Sequence, residues 1–244
     1  MKTDEFCFIP WQGPDSARQT AVAMRLGKPV VLTAQTFGLN VEHLLQGETL
    51  NYAEQARAAQ FKVTQAREAF VVSRGLVRAV LGHFGDMFAS LVPINAEPNQ
   101  KPALGPAFSW QVDFNISHSS HWIACAFVNS GKVGVDIELG SQTVIADPVS
   151  LARMVCSPAE LTYLISVPEN HKRCVFLDIW RRKEALLKAA GLGLSGDPQA
   201  VTVVSSFGAP EPWVYYLGAR WRICVLENED IPPVAIAFCA SICN

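Results

Sequence analysis

The chain has 244 residues, half of them hydrophobic, and its 20 basic and 22 acidic side chains leave a net charge of −2. That length buries a core as one large domain or as two smaller ones. Because the two signs of charge are interspersed, bulk attraction to nucleic acid or to an anionic membrane is excluded, and any hold on a polyanion must be local.

The first residues, Met1-Lys2-Thr3-Asp4-Glu5, carry acid where a signal peptide needs a basic and then an apolar stretch. No apolar run nears the roughly twenty residues that cross a bilayer, so a cytoplasmic protein is expected. Seven cysteines, from Cys7 to Cys243, lack C-x-x-C or zinc-like spacing, and several sit in apolar runs. Reduced, buried thiols fit that pattern better than a disulfide framework, which an odd count also disfavours.

Residues 6–9 and 30–33 read as short strands between Pro and Gly breaks. Residues 52–62, rich in Ala, Gln and Arg, then read as a helix. A second helix is predicted over 65–84, with Phe70, Val77, Leu81 and Phe84 at helical spacing and Gly85 ending it. Arg67, Arg74 and Arg78 fall within one narrow stripe of that helix, as arginines on a wet face do when their stems snorkel over apolar surface. A Pro- and Asn-containing loop over 93–106 holds Gln100-Lys101-Pro102. Residues 114–119 form a strand ending in small polar residues and His118, followed by the apolar strand 122–128. His118 and His121 stand in an H-x-x-H spacing that suits a helical turn rather than extended chain, and a metal reading there is rejected.

Residues 134–138, Gly-Val-Asp-Ile-Glu, alternate β-branched with other side chains and read as a strand. Asp136 and Glu138 then share a face, about 7 Å apart, and repel by about 2–3 kcal/mol at an effective dielectric near 20. A divalent cation between them would turn repulsion into binding; the plain alternative is a solvated strand face. After a Gly/Ser/Thr-rich stretch over 140–143, Ser157, Pro158 and Glu160 spell an N-cap, a first helical position and an S-x-x-E capping box, which suffices to explain Glu160. A long helix is predicted over 172–190, with Gly191 at its C-terminal cap. On it Glu184 and Lys188 lie four apart on one face, either as an exposed ion pair or as a carboxylate and amine suited to a metal-bound phosphate. Residues 200–205, 213–217, 221–227 and 234–240 read as strands of a closing meander.

The two pieces 134–138 and 180–191 together resemble the signature of the 4′-phosphopantetheinyl transferases, in which a G-[VI]-D-[IV]-E strand precedes a W-x-x-K-E-[AS]-x-x-K-x-x-G helix. The matching residues are Gly134, Asp136 and Glu138, then Trp180, Lys183, Glu184, Ala185, Lys188 and Gly191. The wording F-N-[IL]-S-H-S at 114–119 is similar to the family's coenzyme A segment, and Lys101 stands in a turn like its G-K-P, with Gln100 in place of the glycine. Cys156 replaces an aromatic residue in its F-[ST]-x-x-E segment, and Ala69 falls where an arginine would be placed.

The resemblance implies the larger, surfactin-type class: an α+β chain of two similar halves related by pseudo-twofold symmetry, with the active site in the cleft between them. The halves are set at 1–130, binding coenzyme A, and 131–244, binding the metal. It implies transfer of the 4′-phosphopantetheine arm of coenzyme A to a serine of an apo acyl or peptidyl carrier protein, with release of adenosine 3′,5′-bisphosphate. Asp136, Glu138 and Glu184 are the implied ligands of Mg²⁺, or of Mn²⁺ in its place. Arg67, Lys101, Ser117, His118, Lys183 and Lys188 are implied to contact coenzyme A, with Lys188 also offsetting charge in the transition state. Glu184, Glu160 or a water at the metal is left to accept the serine proton. A monomer without nucleic-acid or membrane partners is expected. A Mg²⁺-dependent nucleotide phosphohydrolase and an inactive carrier-binding homologue are the alternatives.

Overall fold

The computed structural model describes residues 5–37, 39, 41, 44, 49–95, 100–105, 110–139 and 145–239. The polar stretch 140–143, parts of the loop 93–106, residue 240 and Cys243 lie outside these. The chain divides into two compact units, Met1–Ser130 and Gly131–Asn244.

The first unit runs β1 (Cys7–Pro10), α1 (Pro14–Arg25), β2 (Val30–Gln35), α2 (Tyr52–Ala58), α3 (Thr64–Gly85), a 3-10 turn at Ala89–Leu91, β3 (Ile94–Asn95), β4 (Ala103–Leu104), β5 (Asp113–Ser119) and β6 (Trp122–Val128). Its main sheet has the order β1-β2-β6-β5, with β1 parallel to β2 and the other pairs antiparallel. β2 and β6 are apolar almost throughout, as interior strands covered on both faces must be. Ala17 and Met24 of α1 and Val72, Leu76, Val77, Val80 and Leu81 of α3 share a core with Leu32, Phe114 and Phe127 of the sheet.

The arginine stripe of α3 is not on a wet face. Arg74 is 7 % exposed and Arg78 is fully buried, where its guanidinium pairs with Glu54 and donates to the carbonyls of Ala89, Ser90 and Val92. The helix ends at Gly85 as expected, and the residue that turns left-handed after it is Asp86 at φ 52. Gly85 is required for space, since a Cβ there would lie 1.5 Å from the ring of Trp110.

The second unit runs β7 (Lys132–Ile137), α4 (Pro148–Val155), α5 (Pro158–Ser166), α6 (Glu169–Ala189), 3-10 turns at Gly193–Ser195 and Pro198–Ala200, and β8 (Trp213–Tyr216), β9 (Ala219–Asn228) and β10 (Ile231–Cys239). The sheet is antiparallel in the order β7-β10-β9-β8. Asp147 caps α4 by accepting from Val149 N and Ser150 N, and Ser157 caps α5 in the predicted box. Gly191, at φ 77, follows α6 as expected. Leu164, Phe176, Ile179, Ala185, Leu186 and Ala189 pack on Trp221, Ile223, Ala235 and Ala237 of the sheet. Full burial of an Ile179 or a Leu186 contributes roughly 1.5–3 kcal/mol each.

The strand predicted over 200–205 does not form, and Val204 makes one isolated bridge to Pro210. Buried side chains take the backbone groups that a neighbouring strand would have taken. Lys183 holds the carbonyls of Pro198 and Val201, and Glu160 holds the N–H groups of Val203 and Val204. In each unit a strand, β2 or β7, leads through helices ending in a long one to a hairpin, β5–β6 or β9–β10, whose second arm pairs with that strand; the first unit has β1 and α1 in addition before it.

Candidate active site

Gly134 determines how β7 meets α6. A Cβ on it would stand 2.1 Å from the carbonyl oxygen of Ala185 and 2.3 Å from the nitrogen of Ala189, so the helix backbone touches the strand directly. Asp136, two residues along, shares the strand face that α6 covers. The helix thereby carries Lys188 and Glu184 to it. Lys188 Nζ donates to Asp136 Oδ1 at 2.5 Å and stands 3.7 Å from Glu184 Oε2. Asp136 is 3 % exposed and Glu184 8 % exposed. Glu138 follows the last residue of β7 and is half-buried.

Burial pushes the Glu184 carboxyl above the usual carboxylate range; Lys188 pulls it back, while Asp136 and Glu138 push it further up. Its Oε1 is buried and makes no hydrogen bond. Leaving such an atom unsatisfied costs about 1–3 kcal/mol, and more where it bears charge. Among the described residues no three His, Cys, Asp or Glu side chains are gathered closely enough to hold a metal ion as they stand. The predicted convergence is therefore partial, because an ammonium lies between two of the acids. The chemistry of the set still fits a hard divalent cation, which takes carboxylate oxygens and would satisfy the orphaned Oε1.

Glu160 and Lys183 meet a different arrangement from the one expected of them. Both are 0 % exposed and they pair at 2.8 Å. Glu160 also accepts from Ser157 N, Val203 N and Val204 N, and Lys183 donates to two carbonyls. Burial lowers the Lys183 pKa, against the pull of Glu160. These partners make the pair a buried strut, and they account for both side chains without a bound phosphate or a transferred proton. The capping box expected at Glu160 forms.

In the first unit Ser117 is buried and His118 exposed on edge strand β5. His121 is occupied by Thr36, whose Oγ1 is 3.3 Å from its Nδ1, and by the ring of Phe37 at 3.9 Å. Lys101 donates to Asp113 Oδ2 at 2.5 Å, and Arg67 is half-buried. Burial pushes the thiols of Cys125 and Cys156 up to about 12, so both stay protonated and unreactive at neutral pH.

Sequence reasoning missed two features. One is Arg181, 5 % exposed on α6 one turn before Glu184. The other is a pocket of about 290 Å³ lined by Glu138, Ile145, Leu151, Met154, Val155, Phe176, Leu177 and Trp180. The spacing of Leu151, Met154 and Val155 was the available signal for an amphipathic α4.

A closely packed strand and helix presenting two buried carboxylates and a lysine have the chemistry that suits a metal-bound phosphate ester. Comparison with known sequences agrees and is more specific. Residues 132–239 match the profile of the 4′-phosphopantetheinyl transferase superfamily, and residues 37–129 match that of the 4′-phosphopantetheinyl transferase N-terminal region. The chain is 31 % identical over 190 residues to the 4′-phosphopantetheinyl transferase HetI of Nostoc, covering 78 % of each. It is 35 % identical over 155 residues to AcpT of Escherichia coli, covering 63 % of this chain and 70 % of that one. To Sfp of Bacillus subtilis it is 32 % identical over 122 residues, about half of each chain. The chain belongs to the 4′-phosphopantetheinyl transferase family.

Proposed function

We propose that this chain transfers the 4′-phosphopantetheine arm of coenzyme A to a serine hydroxyl of an apo acyl or peptidyl carrier protein. The serine oxygen forms a bond to the phosphorus bearing the arm, the bond from that phosphorus to the bridging pyrophosphate oxygen breaks, and adenosine 3′,5′-bisphosphate leaves. The observation that carries the reading is the corner of Asp136, Glu184 and Lys188, joined by contacts of 2.5 and 3.7 Å, in a chain of this family.

Asp136, Glu138 and Glu184 would hold a divalent cation, Mg²⁺ or Mn²⁺, which when bound neutralises pyrophosphate charge. Lys188 Nζ turns from Asp136 to a phosphate oxygen and offsets charge as the bond breaks. With Glu160 committed to Lys183, Glu184 is the acceptor this corner offers for the serine proton. Ser117 and His118, with Lys101 and Arg67, are assigned to the nucleotide part of coenzyme A. The apolar pocket beside Glu138, with Met154 70 % exposed at its lining, is assigned to the carrier. A cytoplasmic, monomeric enzyme is consistent with this role, and no helix among the described residues is long and apolar enough to cross a membrane.

Intact mass of a panel of apo carrier proteins, incubated with the enzyme, coenzyme A and Mg²⁺, tests the proposal. One carrier is expected to gain the arm. Release of adenosine bisphosphate without any acceptor would instead indicate a phosphohydrolase.

A further inference from the structure

Helix α6 buries four consecutive charged residues, Arg181, Arg182, Lys183 and Glu184, at 5, 7, 0 and 8 % exposure. Successive side chains point about 100° apart around a helix, so no single partner serves all four. Lys183 has its strut, Arg182 Nε donates to Asp178 at 2.9 Å, and Glu184 belongs to the acidic corner. Arg181 is left poorly served. Its bond to Asp178 is long, at 3.5 Å, that carboxylate is already engaged by Arg182, and its Nε is buried without a partner.

Position on the helix says where that charge acts. Residues 181, 184, 185 and 188 share one face of α6, and Ala185, with Ala189, lies against Gly134 of β7. Arg181 therefore sits one turn from Glu184, toward the strand that carries Asp136. Burial lowers its pKa, opposed by Asp178, Asp136 and Glu138, so two of the three acids that hold it charged are those of the corner. We infer that Arg181 is a positioning residue: a built-in counter-cation that offsets the repulsion between Asp136 and Glu138 and thereby sets how tightly the corner binds a divalent cation. The inference rests on the metal site proposed above. It concerns a position that the family signature W-x-x-K-E leaves open.

The test is direct binding of Mn²⁺ to the whole chain without coenzyme A, read from the electron paramagnetic resonance signal of free Mn²⁺, with circular dichroism to establish folding. Wild type is expected to bind and Asp136→Asn to lose binding; a wild type that does not bind overturns the metal site and this inference with it. Given wild-type binding, Arg181→Gln is expected to bind Mn²⁺ at least about threefold more tightly, because one opposing charge is gone. Arg182→Gln, which removes the same charge from a neighbour turned to Asp178, is expected to change affinity by less. Equal effects of the two, or unchanged or weaker binding in Arg181→Gln, overturn the role of Arg181 and leave the site standing. Arg181→Lys keeps the charge and is expected within about twofold of wild type; if Arg181→Gln does not fold, a larger change in the lysine variant overturns the inference.

Discussion

The two units bury a cation in the same way and differ in the residues just beyond it. Counted from the start of its helix, Arg78 is the fifteenth residue of α3 and Lys183 the fifteenth of α6. Each is 0 % exposed and pairs with a glutamate at the third position of a capping box, Glu54 with Asn51 and Glu160 with Ser157. Each also holds carbonyls of the segment after its helix, which ties a long helix, a short one and a loop together. One residue and five residues further on, α3 has Ala79 and His83 where α6 has Glu184 and Lys188. The scaffold is thus shared, and the acidic corner belongs to the second unit. Burial of a charge is not itself a mark of chemistry. Arg78 and Lys183 each hold a glutamate and two or more carbonyls, whereas the partner Glu184 has is Lys188 at 3.7 Å; an orphaned atom alone does not separate them, because Arg78 Nη2 is buried without a hydrogen bond just as Glu184 Oε1 is.

Substitutions on either side of that divide break it in different ways. Asp136→Ala is expected to lower transfer by at least about a hundredfold while leaving the fold intact, seen as unmodified carrier in intact-mass spectra beside a native circular dichroism spectrum. Lys183→Met should cost about 3–5 kcal/mol in urea unfolding, because it strands the buried Glu160, and Arg78→Met should cost less, because Glu54 keeps some contact with water. Lys188→Ala should reduce turnover by about tenfold or more and weaken cation binding by less, measured by single-turnover transfer alongside Mn²⁺ titration. Gly134→Ala forces α6 off β7; a loss of about 1–3 kcal/mol is expected, with a fall in turnover as Lys188 and Glu184 recede from Asp136. Unchanged turnover in that variant would mean the close approach does not place the corner.

Much of this was legible in the sequence. The strand predicted over 134–138, the long helix with its Gly191 cap and the Ser157 box all rest on local pattern, and all three form, although the strand runs 132–137 and leaves Glu138 just past its end. What stayed hidden depends on partners distant in sequence. The stretch 200–205 has strand composition, yet Lys183 and Glu160 take its backbone groups first. Gly85 reads as a helix stop and the helix does end there, but nothing local shows Trp110 lying against it. Arg74 and Arg78 have the spacing of a wet stripe, and Glu54 together with the carbonyls at 89–92 makes burial tolerable for Arg78. The same limit hid the division of labour between two glutamates, since a capping box and a metal ligand use the same side chain.

Those two glutamates give the most direct measurement: transfer rate and thermal stability across pH, side by side, in Glu160→Gln and Glu184→Gln. The Glu184 carboxyl is raised above its ordinary range in the folded state, so its charge is disfavoured there; the destabilisation is absent below the unfolded carboxylate pKa and grows as pH rises through the folded one. Glu184→Gln is therefore expected to abolish transfer and to melt no lower than wild type at neutral pH. Glu160→Gln is expected to melt well below wild type and to keep its transfer rate per folded molecule. The reverse pattern, with transfer lost in Glu160→Gln and retained in Glu184→Gln, would contradict the separation of strut from reactive corner.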